Sequence, residues 1–366
     1  MSVSEILNNS CVSSILQTKG RRGTVTLSHN STIAEALETL ADEHLLSAPI
    51  VVDPDVEDNG TGMDIDATPT LIGWLDLKDI LASLLAFIDS KNTEKKLPTM
   101  MLSLMSSLEK AGSEFLNKLL VSVPCREDRK LLPIDDAPST SLMTIIRGCF
   151  IEPELSHRVA LYDAHGEIVD VVSQLDVLTY IYRSLSDKAM TSASLDLNME
   201  RSLDDLGFLQ KGRPLVSVNA HEPMLHALAK MAKEGVSSAP VLASDNSSMI
   251  ANLSLSDLRA LRSEHFGVLA LPCAEYLALL HGTAYIGYSR SSSEHSHHPY
   301  FASEGSKHPK PADLHVYAIR GSTSLISTIR TLTEHRLHHV YVIDDLGKVD
   351  AVVAITDVLQ YIAGVY

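Results

Sequence analysis

Apolar residues along the chain alternate between helical spacing and short β-branched runs. The clearest example lies near the C-terminus, where the apolar runs 340–343 and 349–355 are separated by the turn-forming residues 344–348. β-branched residues favour strands, and a short connection that contains Asp and Gly favours a hairpin. Thr356 and Asp357 follow, at positions where hydroxyl and acidic side chains stabilise a helix N-terminus. The pattern predicts two strands and then a helix.

The same unit recurs three more times upstream, and each copy ends at an aspartate that opens a helix. The copies ending at Asp176 and Asp257 keep the spacing from middle strand to aspartate, whereas the copy ending at Asp79 has extra residues at its hairpin tip. Apolar residues at helical spacing precede every copy, and a short strand precedes three; residues 132–134 mark the second copy only weakly. We therefore predict four units of strand, helix, strand, strand and helix.

One such unit cannot bury both faces of a small sheet, so we expect the units to associate in pairs. The predicted bounds are residues 12–89, 124–186, 202–281 and 313–366 for the four repeats, 90–123 for a helical linker, and 282–312 for a flexible loop rich in His, Ser and Pro.

Composition narrows the class of protein. The chain has 366 residues, of which 45% are hydrophobic, as is typical of a folded soluble protein. A formal net charge of −16 argues against a nucleic-acid surface, although a local basic cluster can still hold a small anion. No apolar run is long enough to cross a membrane, and the N-terminus lacks a secretory pattern. We expect a cytoplasmic or nuclear protein that binds neither nucleic acid nor membrane.

Motifs for catalysis and metal binding are missing from the sequence. The four cysteines form no CxxC pair, and the histidines of the loop 282–312 lack acidic or thiolate partners at a fixed spacing, so we expect no metal site. There is no GxSxG, P-loop, HExxH or Gly-rich dinucleotide turn. We therefore expect no enzymatic activity.

The fourfold pattern, with Ala48-Pro49 and Ala239-Pro240 in strands and Ser256-Asp257 and Thr356-Asp357 at helix starts, resembles the cystathionine-beta-synthase (CBS) domain. Four copies in tandem resemble the gamma regulatory subunit of AMP-activated protein kinase and its yeast and plant relatives. The resemblance implies an α/β fold in which four CBS repeats form two CBS pairs, or Bateman modules, in a disk-like pseudo-symmetric assembly.

The resemblance also implies clefts for adenine nucleotides, with a ribose-binding aspartate in each repeat. By position these aspartates are Asp79, Asp176, Asp257 and Asp357, and the polar residues beside them are Ser254, Ser256 and Thr356. A carboxylate can accept two hydrogen bonds from a cis-diol, which suits this role. The alternative is purely structural, because acidic side chains are favoured in a first helical turn without any ligand.

Phosphates need cationic partners, and the resemblance implies a His-Arg pair before the middle strand of the second and fourth repeats. The residues at these positions are His157 and Arg158 in the second repeat and His338 and His339 in the fourth, with Arg336 close by in sequence. Histidine is mostly neutral near pH 7 and lacks the guanidinium fork, so we expect the fourth repeat to hold phosphate more weakly.

Other positions depart from the implied pattern. Leu46 and Leu175 stand where the resemblance implies basic residues, and no basic residue immediately precedes Ala239.

The sequence thus predicts a non-catalytic subunit that senses AMP, ADP or ATP, needs no cofactor, and regulates a serine/threonine kinase complex through its catalytic and scaffold subunits. Two alternatives remain open. The protein is a stand-alone sensor of adenosine ligands, or a ligand-free CBS scaffold that acts through protein contacts.

Overall fold

The structure is a computed structural model. The residues it describes are 3–19, 24–52, 70–94, 101–124, 130–152, 155–189, 198–210, 215–243, 245–281 and 317–365. The predicted loop at residues 282–312 and the greater part of the first hairpin tip, residues 53–69, lie outside this part of the chain.

The described chain begins with two short helices, α1 (Val3–Asn9) and α2 (Val12–Lys19). The first unit then consists of β1 (Leu27–Ser28), α3 (Ile33–Asp42), β2 (Ser47–Val52), β3 (Thr70–Asp76) and α4 (Leu77–Glu94). Helix α3 begins with a capping box. Thr32 accepts a hydrogen bond from the Glu35 N–H at 3.2 Å, and the Glu35 carboxylate accepts one from the Thr32 N–H at 2.7 Å.

Helix α5 (Met101–Leu116) lies in the segment predicted as a linker and buries Leu108, Phe115 and Leu116. The second unit consists of β4 (Leu131–Pro133), α6 (Leu142–Ile145) with a π-helical continuation (Ile146–Ile151), β5 (Arg158–Tyr162), β6 (Ile168–Ser173) and α7 (Gln174–Ala189). The weakly marked first strand of this unit is therefore present as β4.

The third unit consists of β7 (Val218–Asn219), α8 (Met224–Lys233), β8 (Ser238–Leu242), β9 (Met249–Ser254) and a 3-10 helix (Leu255–Ala260). A second 3-10 helix (Ser263–Ala270) and α9 (Cys273–His281) follow. The 3-10 helix Ser263–Ala270 packs on α5 so closely that a Cβ at Gly112 would lie 2.1 Å from Phe266 Cγ. Only glycine fits at position 112.

The fourth unit consists of β10 (Ala318–Ile319), α10 (Leu325–Glu334), β11 (His339–Ile343), β12 (Val349–Ala354) and α11 (Ile355–Ile362). In each of the four sheets the first strand pairs in parallel with the second, and the second pairs antiparallel with the third. The predicted α/β fold of four repeated units is thereby confirmed.

Hydrophobic packing joins the units through their helices. The helices α3, α8 and α10 bury positions i, i+3, i+4 and i+7 of one face; in α3 these are Ile33, Ala36, Leu37 and Leu40. One core combines the first and third units, and a second core combines α1 and α2 with the second and fourth units.

Polar contacts between sheets join the first unit to the second and the third unit to the fourth. Arg158 of the second unit donates a hydrogen bond to Ser47 of the first, and Ser238 of the third unit is 2.8 Å from His339 Nε2 of the fourth. Each unit therefore contacts two others, which fits the predicted paired and pseudo-symmetric arrangement. We call units one and two the first half, and units three and four the second half. The predicted domain boundaries stay predictions.

Candidate functional site

Each predicted ribose-binding aspartate lies in the first turn of the helix that follows the third strand of its unit. In all four, a carboxylate oxygen accepts a hydrogen bond from the backbone N–H three residues earlier. The N···O distances are 3.0 Å for Asp79, 2.9 Å for Asp176, 2.8 Å for Asp257 and 2.9 Å for Asp357. The aspartates thus stabilise the chain locally without a ligand. A carboxylate has about four lone-pair positions, so the same side chain can also accept from a ligand.

The surroundings of these carboxylates differ between units. Asp357 is only 4% exposed. Burial raises the pKa of Asp257 to about 7, although the Ser254 N–H and Arg259 oppose the rise. The Ser254 hydroxyl accepts hydrogen bonds from the Ser256 N–H at 3.2 Å and the Ser256 hydroxyl at 2.9 Å. The two serines that were predicted to be polar ligands therefore hold the start of the 3-10 helix.

A guanidinium and two imidazole side chains lie close together where the second and fourth units face each other. We call His157, Arg158 and His338 the basic cluster. The Arg158 guanidinium is 18% exposed, hydrogen-bonded to Ser47, and 3.9 Å from Asp76 Oδ2 of the first unit. The structure thus places the predicted phosphate-binding residues of the second unit beside one of the two histidines predicted in the fourth.

The pKa values of the two histidines in the basic cluster are lowered in part by their charged neighbours. Removal of water around the ring lowers the pKa of His338 to about 4, and repulsion from Arg158 and His157 adds to the effect. The pKa of His157 is lowered too, first by desolvation and then by Lys78 and Arg158, against a hydrogen bond to Gln174. Both histidines remain exposed at the surface, so this desolvation is partial. Arg158 is the permanently charged member of the basic cluster.

Gln174 connects the basic cluster to the fourth unit. Its side-chain oxygen accepts a hydrogen bond from the Thr356 hydroxyl at 2.9 Å and lies 3.4 Å from His157 Nδ1. Its side-chain nitrogen donates to the Ser156 carbonyl at 2.9 Å, and the residue is 4% exposed. Thr356, which was predicted to lie near ribose or phosphate, therefore meets the basic cluster through Gln174.

Two other predicted phosphate ligands are placed differently. Arg336 is exposed, lies two residues beyond the end of α10 in the left-handed region with φ 53°, and contributes to the electrostatic field at His338. His339 belongs to a separate network in the second half, in which the Ser238 hydroxyl also lies 3.1 Å from the Tyr341 hydroxyl. Tyr341 donates to Asn252 at 3.0 Å. Burial lowers the pKa of His339 to about 4, so this ring is neutral at physiological pH.

Several residues of the site were missed by the sequence analysis. Ser47 and Ser238 precede the two Ala-Pro pairs, so the repeated Ser-Ala-Pro triplet was an available signal. Asp76 and Gln174 carry no such signal, because their roles depend on which units meet. Lys19 of α2, whose ammonium lies 3.5 Å from Asp176 Oδ2, is 157 positions away in sequence (176 − 19).

The basic cluster can bind an anion. Within the part of the chain that the structure describes, it combines a guanidinium and two imidazoles, and the Ser47 hydroxyl and the Gln174 side-chain amide lie beside them. In that same part no group of three or more His, Cys, Asp or Glu side chains is arranged to hold a metal ion. Of the described helices, none is both long and apolar enough to cross a lipid bilayer.

Comparison with known proteins agrees with the repeated fold. The family model of the CBS domain matches residues 211–264 and 312–364, which contain the strands of the third and fourth units. The crystal structure of protein MJ1225 from Methanocaldococcus jannaschii, described as a proposed archaeal homolog of g-AMPK, aligns with a TM-score of 0.58. It is 13% identical, and the alignment covers 96% of this chain and 99% of that one. This similarity shows the fold, and four CBS-type units account for it.

Curated relatives are fungal. Protein SDS23 of Yarrowia lipolytica is 21% identical over 253 residues, which are 68% of this chain and 45% of that protein. Protein sds23 of Neosartorya fischeri is 28% identical over 127 residues, or 34% of this chain and 22% of that protein. The chain thus spans less than half of the length of these relatives.

Proposed function

We propose that this chain is a non-catalytic regulatory subunit that binds AMP, ADP or ATP at the basic cluster and regulates a serine/threonine kinase complex. The observation that carries the proposal is the convergence of His157, Arg158 and His338 from two different units. Burial and repulsion from Arg158 lower the pKa values of both imidazoles, and a bound anion would oppose this effect, so the group suits an anionic ligand. A phosphate would accept charge-assisted hydrogen bonds from Arg158 and favour the protonated form of His338.

The nucleoside end of the ligand needs a diol acceptor near the cluster. Asp357 supports this role best, because it lies one residue after Thr356, whose hydroxyl reaches Gln174 beside His157. In this proposal Arg158 and His338 hold the phosphates and Asp357 accepts the ribose hydroxyls. Asp76, 3.9 Å from Arg158, adds a negative charge that favours ligands with fewer phosphates.

Regulation would follow from linkage. A nucleotide that contacts the second and fourth units together stabilises the arrangement in which they face each other. It shifts a partner only by the difference in its affinity for the two states of the assembly. The kinase partnership is supported by the fold shared with a protein described as a proposed homolog of g-AMPK.

A ligand-free scaffold is the second candidate, and one observation favours it. All four aspartates already accept a backbone hydrogen bond, so each has a structural role without nucleotide. Such a scaffold would act through protein contacts alone.

Calorimetric titration of the full chain with AMP, ADP and ATP tests the proposal. We expect saturable binding and a higher melting temperature, because a ligand that binds only the folded state stabilises it. The absence of both heat and a thermal shift at millimolar nucleotide would favour the scaffold. A native pull-down distinguishes a subunit of a kinase complex from a stand-alone sensor. A stand-alone sensor would bind nucleotide, but no kinase subunits would co-purify with it.

A further inference from the structure

The two N-terminal helices are fixed on the second unit. The Val12 N–H donates to the Thr140 carbonyl at 3.0 Å, the Leu142 N–H donates to the Ser10 carbonyl at 2.9 Å, and the Tyr180 hydroxyl donates to the Ser10 hydroxyl at 3.1 Å. Apolar side chains of both helices are buried in the same core as the second unit: Val3, Ile6, Leu7, Val12 and Ile15. This docking fixes the position of Lys19, the last residue of α2.

The Lys19 ammonium is held by three acceptors of the second unit. It lies 3.2 Å from Asp170 Oδ1 and 3.5 Å from Asp176 Oδ2, and it donates to the Val171 carbonyl. Side-chain exposure is 27% for Lys19, 17% for Asp170 and 25% for Asp176. The ammonium donates hydrogen bonds to Asp170 and Val171 and forms an ion pair with Asp176. Partial burial shields these contacts from salt better than at an open surface.

Asp176 Oδ2 is thereby surrounded by donors. The same oxygen accepts from the Ser173 N–H at 2.9 Å and from the Ser173 hydroxyl at 2.7 Å. At this oxygen a ribose hydroxyl would have to compete with a cation and two hydrogen bonds that belong to the protein. Asp176 also contributes to the electrostatic field at Arg158.

We propose that Lys19 is a built-in cation that closes the cleft at Asp176 to nucleotide by occupying the aspartate predicted to bind ribose there, whereas the nucleotide at the basic cluster uses Asp357. The inference builds on the proposed function, because it says which of the four predicted clefts stays empty. It also gives the N-terminal helices a role: the cleft opens only when Lys19 leaves Asp176.

Calorimetric titration with AMP tests this in the full chain, with the variants Lys19→Met, Lys19→Gln, Asp176→Asn and the double variant Lys19→Met with Asp176→Asn. We expect either lysine variant to bind one more equivalent of AMP than the wild type. The double variant should return to the wild-type stoichiometry. Asp176→Asn alone should leave the stoichiometry unchanged, because the wild-type cleft is already closed.

Lys91→Met is the matched control, because it removes a lysine that pairs with Glu114 at 2.9 Å between α4 and α5. It should bind as the wild type does. The inference is overturned if both lysine variants fold, as cooperative thermal melts would show, but keep the wild-type stoichiometry, or if Asp176→Asn lowers the stoichiometry of the wild type.

The outcome stays distinct from that of the proposed function. If the wild type binds no AMP, the proposed function fails. The inference still stands if the Lys19→Met variant then binds one equivalent of AMP and the double variant, which also carries Asp176→Asn, binds none. It fails if the Lys19→Met variant binds no AMP.

Discussion

Arg158 in the first half and His339 in the second occupy equivalent positions, since each is the first residue of the middle strand of its unit. Each contacts the serine that opens the middle strand of the neighbouring unit, Ser47 or Ser238. The residue paired with that serine across the sheet differs: it is Asp76 in the first half and Ser254 in the second. One half therefore holds a cation beside a carboxylate, and the other holds a neutral hydroxyl and imidazole network.

The first position of the middle strand therefore holds a charged side chain in the second unit and a neutral one in the fourth. A guanidinium that is partly buried needs a carboxylate nearby, and Asp76 provides it. Without such a carboxylate the equivalent position in the second half tolerates only a neutral ring, and burial keeps His339 uncharged. Anion binding should therefore depend on Arg158 and be insensitive to His339.

The largest expected effect comes from moving the charge to the second half. His339→Arg places a guanidinium beside Ser238 and Tyr341 with Ser254 in place of a carboxylate. A buried charge without its partner costs about 3 kcal/mol or more, and urea denaturation should show a loss of that size. Adding Ser254→Asp should recover about half of it, since Asp also caps helices well. The effect of Ser254→Asp alone on the free energy of unfolding is measured and subtracted. If the double variant then recovers no stability, a carboxylate at position 254 does not play the role that Asp76 plays in the first half.

Removing the charge from the first half should weaken ligand binding. Arg158→Ala should lower the affinity for AMP and ATP about 10- to 100-fold, because a charged hydrogen bond contributes about 1.5–3 kcal/mol. The affinity for adenosine should change little, as it has no phosphate. His339→Ala is the matched control and should leave all three affinities within about twofold. Calorimetry on folded variants measures this, and equal losses for adenosine and ATP would contradict a phosphate contact at Arg158.

A third test uses the pH dependence of the second half. The pKa of Asp257 is about 7 in the folded chain against 3.8 for an ordinary aspartate, so folding favours its protonated form. Its contribution to stability is therefore complete below about pH 4 and is lost as the pH rises through 7. Asp257→Asn should gain at least about 1 kcal/mol relative to the wild type between pH 5 and pH 8. Thermal melts across this pH range measure the gain, and an Asp257→Asn variant that follows the wild type from pH 5 to pH 8 would contradict it.

The repeat was predictable because the apolar spacing that forms each helix face is local, as in Ile33, Leu37 and Leu40. The hairpins were predictable for the same reason. Contacts between units were not, because no local pattern says that the strand end at Asp76 approaches Arg158. Lys19 is the extreme case: its partner Asp176 becomes a neighbour only after α2 has docked on the second unit.

The smallest expected effect concerns the point at which the two halves meet. The Thr356 hydroxyl of the second half donates to Gln174 of the first, and Gln174 is almost fully buried. Thr356→Val keeps the shape but leaves the Gln174 oxygen with only the weaker contact to His157, so stability should fall by about 1 kcal/mol. Thr331→Val is the control, since Thr331 donates to Ser327 within α10 at 3.0 Å and joins no units. Equal melting temperatures for the two variants would mean that the hydrogen bond between the halves contributes no more than an ordinary helical one.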